Sequence, residues 1–239
     1  MTEMVRRFLR QKFGSVGILI TLSALALLTV LPLAAGQRGL GPGTLALFLL
    51  AAGSVSRDAG SGALQMILAR PIHRSAYLFG RYLGILLSYA AFILAAVLLT
   101  LLLAELFSPM VGPGRGPRVT WDSLALAAGA SWMEGALIAA ILLFFSTFLP
   151  GVADVLAYFL LLLLLHVPEG IGEMLNKPRV SSAVRVVREN VLGSVPWDEV
   201  LRGEGVLRAA TGRYVLALTV FLTLAAVLFA RREFSYGQD

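Results

Sequence analysis

Cysteine is absent from the 239 residues, and histidine occurs only twice, as His73 and His166. The first absence excludes disulfides and thiolate metal sites. The second leaves too few imidazoles for a histidine-based metal site. Charge is scarce as well: Asp, Glu, Lys and Arg make up 14% of the chain, against about 25% in an ordinary soluble domain. Lysine is nearly missing, with Lys12 and Lys177 alone among 20 basic residues, a bias that reflects codon composition more than chemistry.

Catalytic signatures are missing too. No G-x-x-x-x-G-K-[ST] phosphate loop occurs, so the chain cannot cradle ATP in that way. The "GSG" at Gly60–Gly62 follows no strand pattern and precedes no lysine. Neither G-x-S-x-G, H-E-x-x-H nor paired intramembrane aspartates appear. The chain is therefore not read as an enzyme, and no resident cofactor or metal is expected.

What is present is apolar: 58% of residues are hydrophobic and the mean hydropathy is +0.82. The apolar residues come in blocks, and a block of roughly 20 can cross a bilayer as a helix. The expected fold is an all-α integral membrane protein whose six spans cover residues 16–35, 39–56, 75–106, 123–149, 151–167 and 213–230. The first block is too long and too late for a signal-peptide core, so it is read as a retained span. The second is the weakest, with three glycines and a proline in its first five positions. Pro150-Gly151 separates the fourth from the fifth, since that pair ends a helix and permits a tight reversal. The helix of the third starts near His73, and His166 marks the outer boundary of the fifth.

A formal charge of +6 and a pI near 10.2 would suit a nucleic-acid binder, but no basic, aromatic-studded soluble module exists to carry one. In a membrane protein basic residues collect at the cytoplasmic face. With the N-terminus inside, the cytoplasmic pieces hold ten basic residues and the first two outer loops hold three, Arg38, Arg115 and Arg118. The long connection 168–212 carries six more and Arg213 follows directly, so its extracytoplasmic placement rests on the even number of spans. Within it, "SSAVRVVRENVL" spaces valines at helical intervals, with Arg185 and Glu189 at i, i+4. A short amphipathic helix on the membrane surface is expected there. Residues 1–14 read as a second one, with Met1, Val5, Phe8 and Leu9 opposite Arg6, Arg7 and Arg10. A plain positive flank to the first span reads equally well.

The stretch "SRDAGSGALQMILARPIHR", Ser56–Arg74, interrupts the apolar chain between spans two and three. Asp58 and Ser61 are helix-capping types, and Leu64, Ile67 and Leu68 make an apolar face. Pro71 disfavours helix at Arg70. A stub of two to three turns results, held at headgroup level by Arg57, Arg70, Arg74 and Arg81. It suits docking into a groove on a cytoplasmic partner, or serves as an interfacial loop that fixes topology.

At this point the sequence resembles the type-2 ATP-binding-cassette (ABC) permeases, the integral subunits of ABC exporters. Ser56-Arg57-Asp58, Gly62, Leu64, Ile67-Leu68, Pro71, Arg74 and Gly80-Arg81 match that family's recurring segment in order and spacing. Gly60 stands where a second acid is usual and Ala63 where threonine is usual. "FARREF", Phe229–Phe234, looks like the family's usual ending. The nearest flavour is the compact bacterial permeases of bacitracin-resistance and nitrous-oxide-reductase-maturation exporters.

The resemblance implies that residues 58–70 are a coupling helix that receives force from a separate ATPase subunit. ATP and Mg would sit on that subunit and none in this chain. It implies a second permease subunit, identical or not, a bacterial cytoplasmic membrane with both termini inside, and room for an extracytoplasmic accessory protein. Two other readings stay open: a haem-exporter-type permease, and a membrane anchor of an ABC-driven assembly or motility machine.

One further residue stands out. Glu134, in "GASWMEGALIAA", lies near the centre of the fourth span, where a carboxylate costs at least a few kcal/mol and should face protein or water. It is either part of a pathway or gate, or an interhelical hydrogen-bonding group. Gly129, Ser131 and Gly135 around it permit close helix contact, in this chain or across a dimer. Asp154 and Glu105, near span ends, are expected to be solvated.

Overall fold

The computed structural model describes residues 6, 20–26, 43–56, 58, 64, 73–111, 121–150, 152–175, 178–192, 195, 197, 200 and 208–231. Among them all regular structure is helical: α1 (Gly43–Ala51), α2 (Arg74–Val111), α3 (Trp121–Ser146), α4 (Ala153–Met174), α5 (Pro178–Leu192) and α6 (Arg208–Arg231). Residues 20–26 are helical too, and Leu22 and Ala26 join the common core. The remainder of the expected first span, and the expected interfacial helix 1–14 apart from Arg6, lie outside the described residues.

Four helices are long and apolar enough to cross a membrane, over Arg74–Leu103, Trp121–Ser146, Ala153–Ile171 and Ala210–Arg231. They coincide with the third to sixth expected spans. Of the weak second one, the described residues hold helix α1, 9 residues long, and residues 39–42 lie outside them. It ends where Gly53 takes a positive φ of 62°, the left-handed conformation that stops helices. Ser54 N–H then donates to Ala51 O (3.0 Å). Ala46, Leu47, Leu50 and Ala51 are all fully buried, so α1 serves as a core element.

The fifth span is longer than expected. Helix α4 passes through Pro168 to Met174, so His166 lies inside it and its Nδ1 is 2.8 Å from Leu162 O. The amphipathic helix of the long connection is α5, which starts on Pro178, a residue suited to a first helical position because its missing N–H needs no partner there. Its charges reach across to neighbours. Arg185 and Arg188 donate to Glu169 of α4 (3.0 and 2.5 Å), and Arg213 of α6 donates to Glu189 (2.8 Å).

These contacts sort the helix ends. Tyr77 stacks on Phe229 at 5.6 Å, Arg74 donates to Ala230 O at 2.8 Å, and Gly53 N–H donates to Asp154 at 2.8 Å. The starts of α2 and α4 therefore meet the ends of α1, α3 and α6 at one end of the bundle, here the Gly53 end. Trp197 packs edge-on against Tyr214 at 4.8 Å and α5 lies beside Glu169 at the other, the Trp197 end. Leaving aside α5, each of α2, α3, α4 and α6 therefore runs antiparallel to the one before it.

Outward faces stay apolar. Leu83, Leu87, Leu94, Leu98 and Leu102 form a stripe on α2, exposed by 37 to 61%. Leu156, Leu160, Leu163 and Leu164 do the same on α4. Patches of this extent on α2, α4 and α6 are incompatible with a water-facing monomer and suit contact with lipid or with other membrane helices.

Candidate functional site

Two places gather polar chemistry. The first lies at the Gly53 end. Asp58 is helical and 4% exposed. It forms an ion pair with Arg81, itself 5% exposed, and accepts a hydrogen bond from the Tyr77 hydroxyl at 2.7 Å. Arg81 Nε donates to the same hydroxyl at 3.3 Å, and its guanidinium carbon lies 5.6 Å from the Tyr77 ring centre. Tyr77 and Arg81 stand at i and i+4 on α2, so one helical face presents both to Asp58. Two charges removed from water hold together only when each is paired and hydrogen-bonded, and this triad meets that condition.

Beside it the chain from Gly53 to Ser56 is laced to the turn between α3 and α4. Asp154 is fully buried and accepts from Gly53 N–H at 2.8 Å and from Val155 N–H at 2.8 Å. The Ser146 hydroxyl oxygen accepts from Val55 N–H (3.1 Å) and Ser56 N–H (3.4 Å), while its proton goes to Asp154. Buried backbone N–H groups beyond the end of a helix need acceptors outside it, and here side chains of another hairpin supply them. This overturns the expectation that Asp154 is solvated. Position near a span end does not bring water when a neighbouring loop folds over it. Glu105, by contrast, is exposed.

Of the expected coupling residues, Asp58, Leu64 and Arg74 are described. Arg57, Gly62, Ile67, Leu68, Arg70 and Pro71 lie outside the described residues. Leu64 is helical, fully buried and part of the common core. Its side chain is thus consumed within this chain and does not form an outward face, as amphipathic spacing alone suggested. Arg74, half of whose role was read as headgroup anchoring, reaches the last turn of α6 at Ala230 O, where a cation complements the exposed carbonyls of a helix end. Tyr77, Ser146 and Gly53 escaped sequence reading. The i, i+4 spacing of Tyr77 and Arg81 was the available signal for the first.

The second place is around Glu134, midway along α3. Helix α3 is gripped there from two sides. Tyr82 of α2 donates to Ala136 O (3.1 Å) and Tyr214 of α6 donates to Met133 O (2.7 Å). Gly135 lets α2 approach: a Cβ built on it would overlap Cε1 of Tyr89 and sit 2.7 Å from its Cδ1. The small residue therefore serves a contact inside this chain. Glu134 itself is exposed and lines a cavity of about 190 Å³ with Tyr158, Trp197 and Tyr214. Among the described residues no group of three or more His, Cys, Asp or Glu could hold a metal ion.

Chemically, the Gly53 end is a fastening that ties the Ser56–Arg81 stretch to α2, α3, α4 and α6, and the Glu134 cavity is a space with one carboxylate and an aromatic wall. Compared with known proteins, the chain matches no protein-family model, no curated protein and no solved structure.

Proposed function

We propose that the chain is the permease subunit of an ABC exporter, in the type-2 permease class that Ser56–Arg81 resembles. In this reading it has six spans, an N-terminal interfacial helix and a coupling helix over residues 58–70, and both termini face the bacterial cytoplasm. A separate ATPase subunit carries ATP and Mg, and a second permease subunit completes the pathway.

The observation that carries the reading is the fastening at the Gly53 end. A coupling element must pass displacement on to spanning helices, and interfaces with two discrete packings transmit it best. Asp58 is joined to α2 through Tyr77 and Arg81, α2 to α6 through Arg74 and Tyr77, and the preceding turn to α3 and α4 through Ser146 and Asp154. A push on residues 58–70 by closing ATPases would thus bias the packing of α2, α3, α4 and α6 together.

The test uses the cysteine-free chain. Cysteines placed at Ala63 or Ile67 should cross-link to an ATPase bearing a phosphate loop that co-purifies with the tagged chain from its own host. Ile67→Asp with Leu68→Asp should weaken that co-purification and leave membrane insertion intact. Leu64 is unsuitable for this purpose because its burial makes Leu64→Asp a folding lesion. Recovery of the chain without such an ATPase, or equal cross-linking from a cysteine at Ser182 near the Trp197 end, overturns the assignment.

A further inference from the structure

Helix α5 is held differently from the spanning helices. Helix α2 buries large side chains such as Tyr77, Ile85 and Tyr89, whereas among the described side chains of α5 Ser181 alone is buried. Burial of apolar surface therefore contributes little to the place of α5, and charge holds it on two sides. Toward α4, Glu169 accepts from Arg185 Nε at 3.0 Å and from Arg188 Nη1 at 2.5 Å. Toward α6, Glu189 accepts from Arg213 Nη1 at 2.8 Å. The arginine side chains are wet, at 51, 26 and 36% exposed for Arg185, Arg188 and Arg213. Ion pairs of this kind are individually weak and are screened by salt.

The chain that follows α5 is apolar and enclosed. Leu192, Val195 and Trp197 form one side of the cavity of about 190 Å³ whose other walls come from α3, α4 and α6. Val195 is 7% and Trp197 6% exposed, and Trp197 meets Tyr214 edge-on with ring centres 4.8 Å apart. Val195 stands three residues beyond Leu192, the last residue of α5, and three residues reach at most about 10 Å. The seat of the apolar plug thus depends on where α5 lies. Elements with few buried apolar contacts are the first to open in a folded protein, and here such an element carries the wall of a cavity.

We propose that α5, with the chain as far as Trp197, is a strap over this cavity that is held by the ion pairs at Glu169 and Glu189 and opens when salt screens them. Opening lifts Val195 and Trp197 from α6 and admits water to the cavity from the Trp197 end. The strap needs neither nucleotide nor ATPase, so its failure leaves the permease reading standing, and failure of that reading leaves the strap.

The experiment measures the rate at which a water-soluble methanethiosulfonate labels the full, otherwise cysteine-free chain in phosphatidylcholine nanodiscs. Val195→Cys reports on the strap. Leu143→Cys, at a position 1% exposed within the common core, reports on the fold. In 1 M salt, where the screening length falls to about 3 Å, labelling of Val195→Cys should rise severalfold and that of Leu143→Cys should not. Glu169→Gln should raise the Val195→Cys rate about tenfold at low salt, the scale of losing two partly exposed ion pairs. Exchanging the charges, Glu169→Arg with Arg185→Glu and Arg188→Glu, should return the rate toward that of the unexchanged chain. An unchanged Val195→Cys rate in the Glu169→Gln chain overturns the proposal. So does an equal rise at Val195→Cys and Leu143→Cys, because the charges would then hold the whole fold. Should Glu169→Gln fail to reconstitute, the salt response decides: a rise confined to Val195→Cys supports the strap, and none overturns it.

Discussion

Asp58 and Asp154 at the Gly53 end and Glu134 in mid-bundle are all carboxylates set among apolar helices, yet their surroundings are opposite. Asp58 and Asp154 are buried, and each is met by donors: a guanidinium and a phenol for one, backbone N–H groups and a serine hydroxyl for the other. Glu134 faces a cavity with aromatic walls. A carboxylate enclosed by donors fixes a packing, because moving any partner leaves a desolvated charge. A carboxylate beside an open space leaves the helix packing to other groups, here Tyr82, Tyr214 and Gly135. The same side-chain chemistry thus holds the fold together at the Gly53 end and borders a cavity on α3.

That contrast breaks most sharply at Asp58. Asp58→Ala removes the carboxylate facing buried Arg81, and breaking a pair of this kind costs about 3–5 kcal/mol. A large fall in thermal midpoint, followed by tryptophan fluorescence in detergent, is expected. Adding Arg81→Met should recover part of it, because an apolar pair of similar volume avoids the desolvation cost. Full stability of the single variant would show that the triad fastens nothing.

Gly135→Ala comes next. The added methyl must displace the Tyr89 ring, which is 1% exposed and stacked on Phe92, so overpacking should cost about 1–3 kcal/mol. Tyr89→Leu in the same chain should relieve it, and a double-mutant cycle measures the coupling. Independent effects of the two changes would mean that α2 and α3 do not meet there.

Asp154→Ala should cost about 1–3 kcal/mol, since it leaves the Gly53 N–H buried without its acceptor. Asp154→Asn, which keeps a carbonyl oxygen, should lose less. Equal losses in the two variants would point to the charge as the stabilising feature in place of the hydrogen bond. The smallest effect is expected from Glu134→Gln, within about 0.5 kcal/mol of the unmodified chain, as for other sites whose side chain is not packed. A destabilisation as large as that of Asp58→Ala would erase the distinction between fastening and cavity.

Much of the architecture was legible in the chain itself. Membrane character, the helical class and four long apolar helices follow from blocks of Leu, Ala, Val and Ile that no water-soluble fold could cover. The break at Pro150-Gly151, the start of α2 near His73 and the amphipathic α5 follow from local backbone and periodicity rules. Residues 39–56 read as a span by composition alone; the helix described there, Gly43–Ala51, buries Ala46, Leu47, Leu50 and Ala51 in the core.

The polar sites divide along the same line. The Ser56–Arg81 motif and the oddity of Glu134 are visible in one dimension, because charge in an apolar chain has few innocent reasons. Partners that lie far apart in sequence were not. Gly53 and Asp154 are separated by 101 positions, and Val55 and Ser146 by 91. Whether Asp154 meets water or a backbone N–H depends on which turns fold against each other. Leu64 likewise belongs to an amphipathic face by spacing, but only the packing of helices around it decided that its side is the core. Sequence determined the solvent each segment requires and the shape it takes locally, since those follow from transfer free energy and backbone sterics. Tertiary structure alone decided which distant groups the buried charges meet, since pairing over long separations is set by how the helices pack.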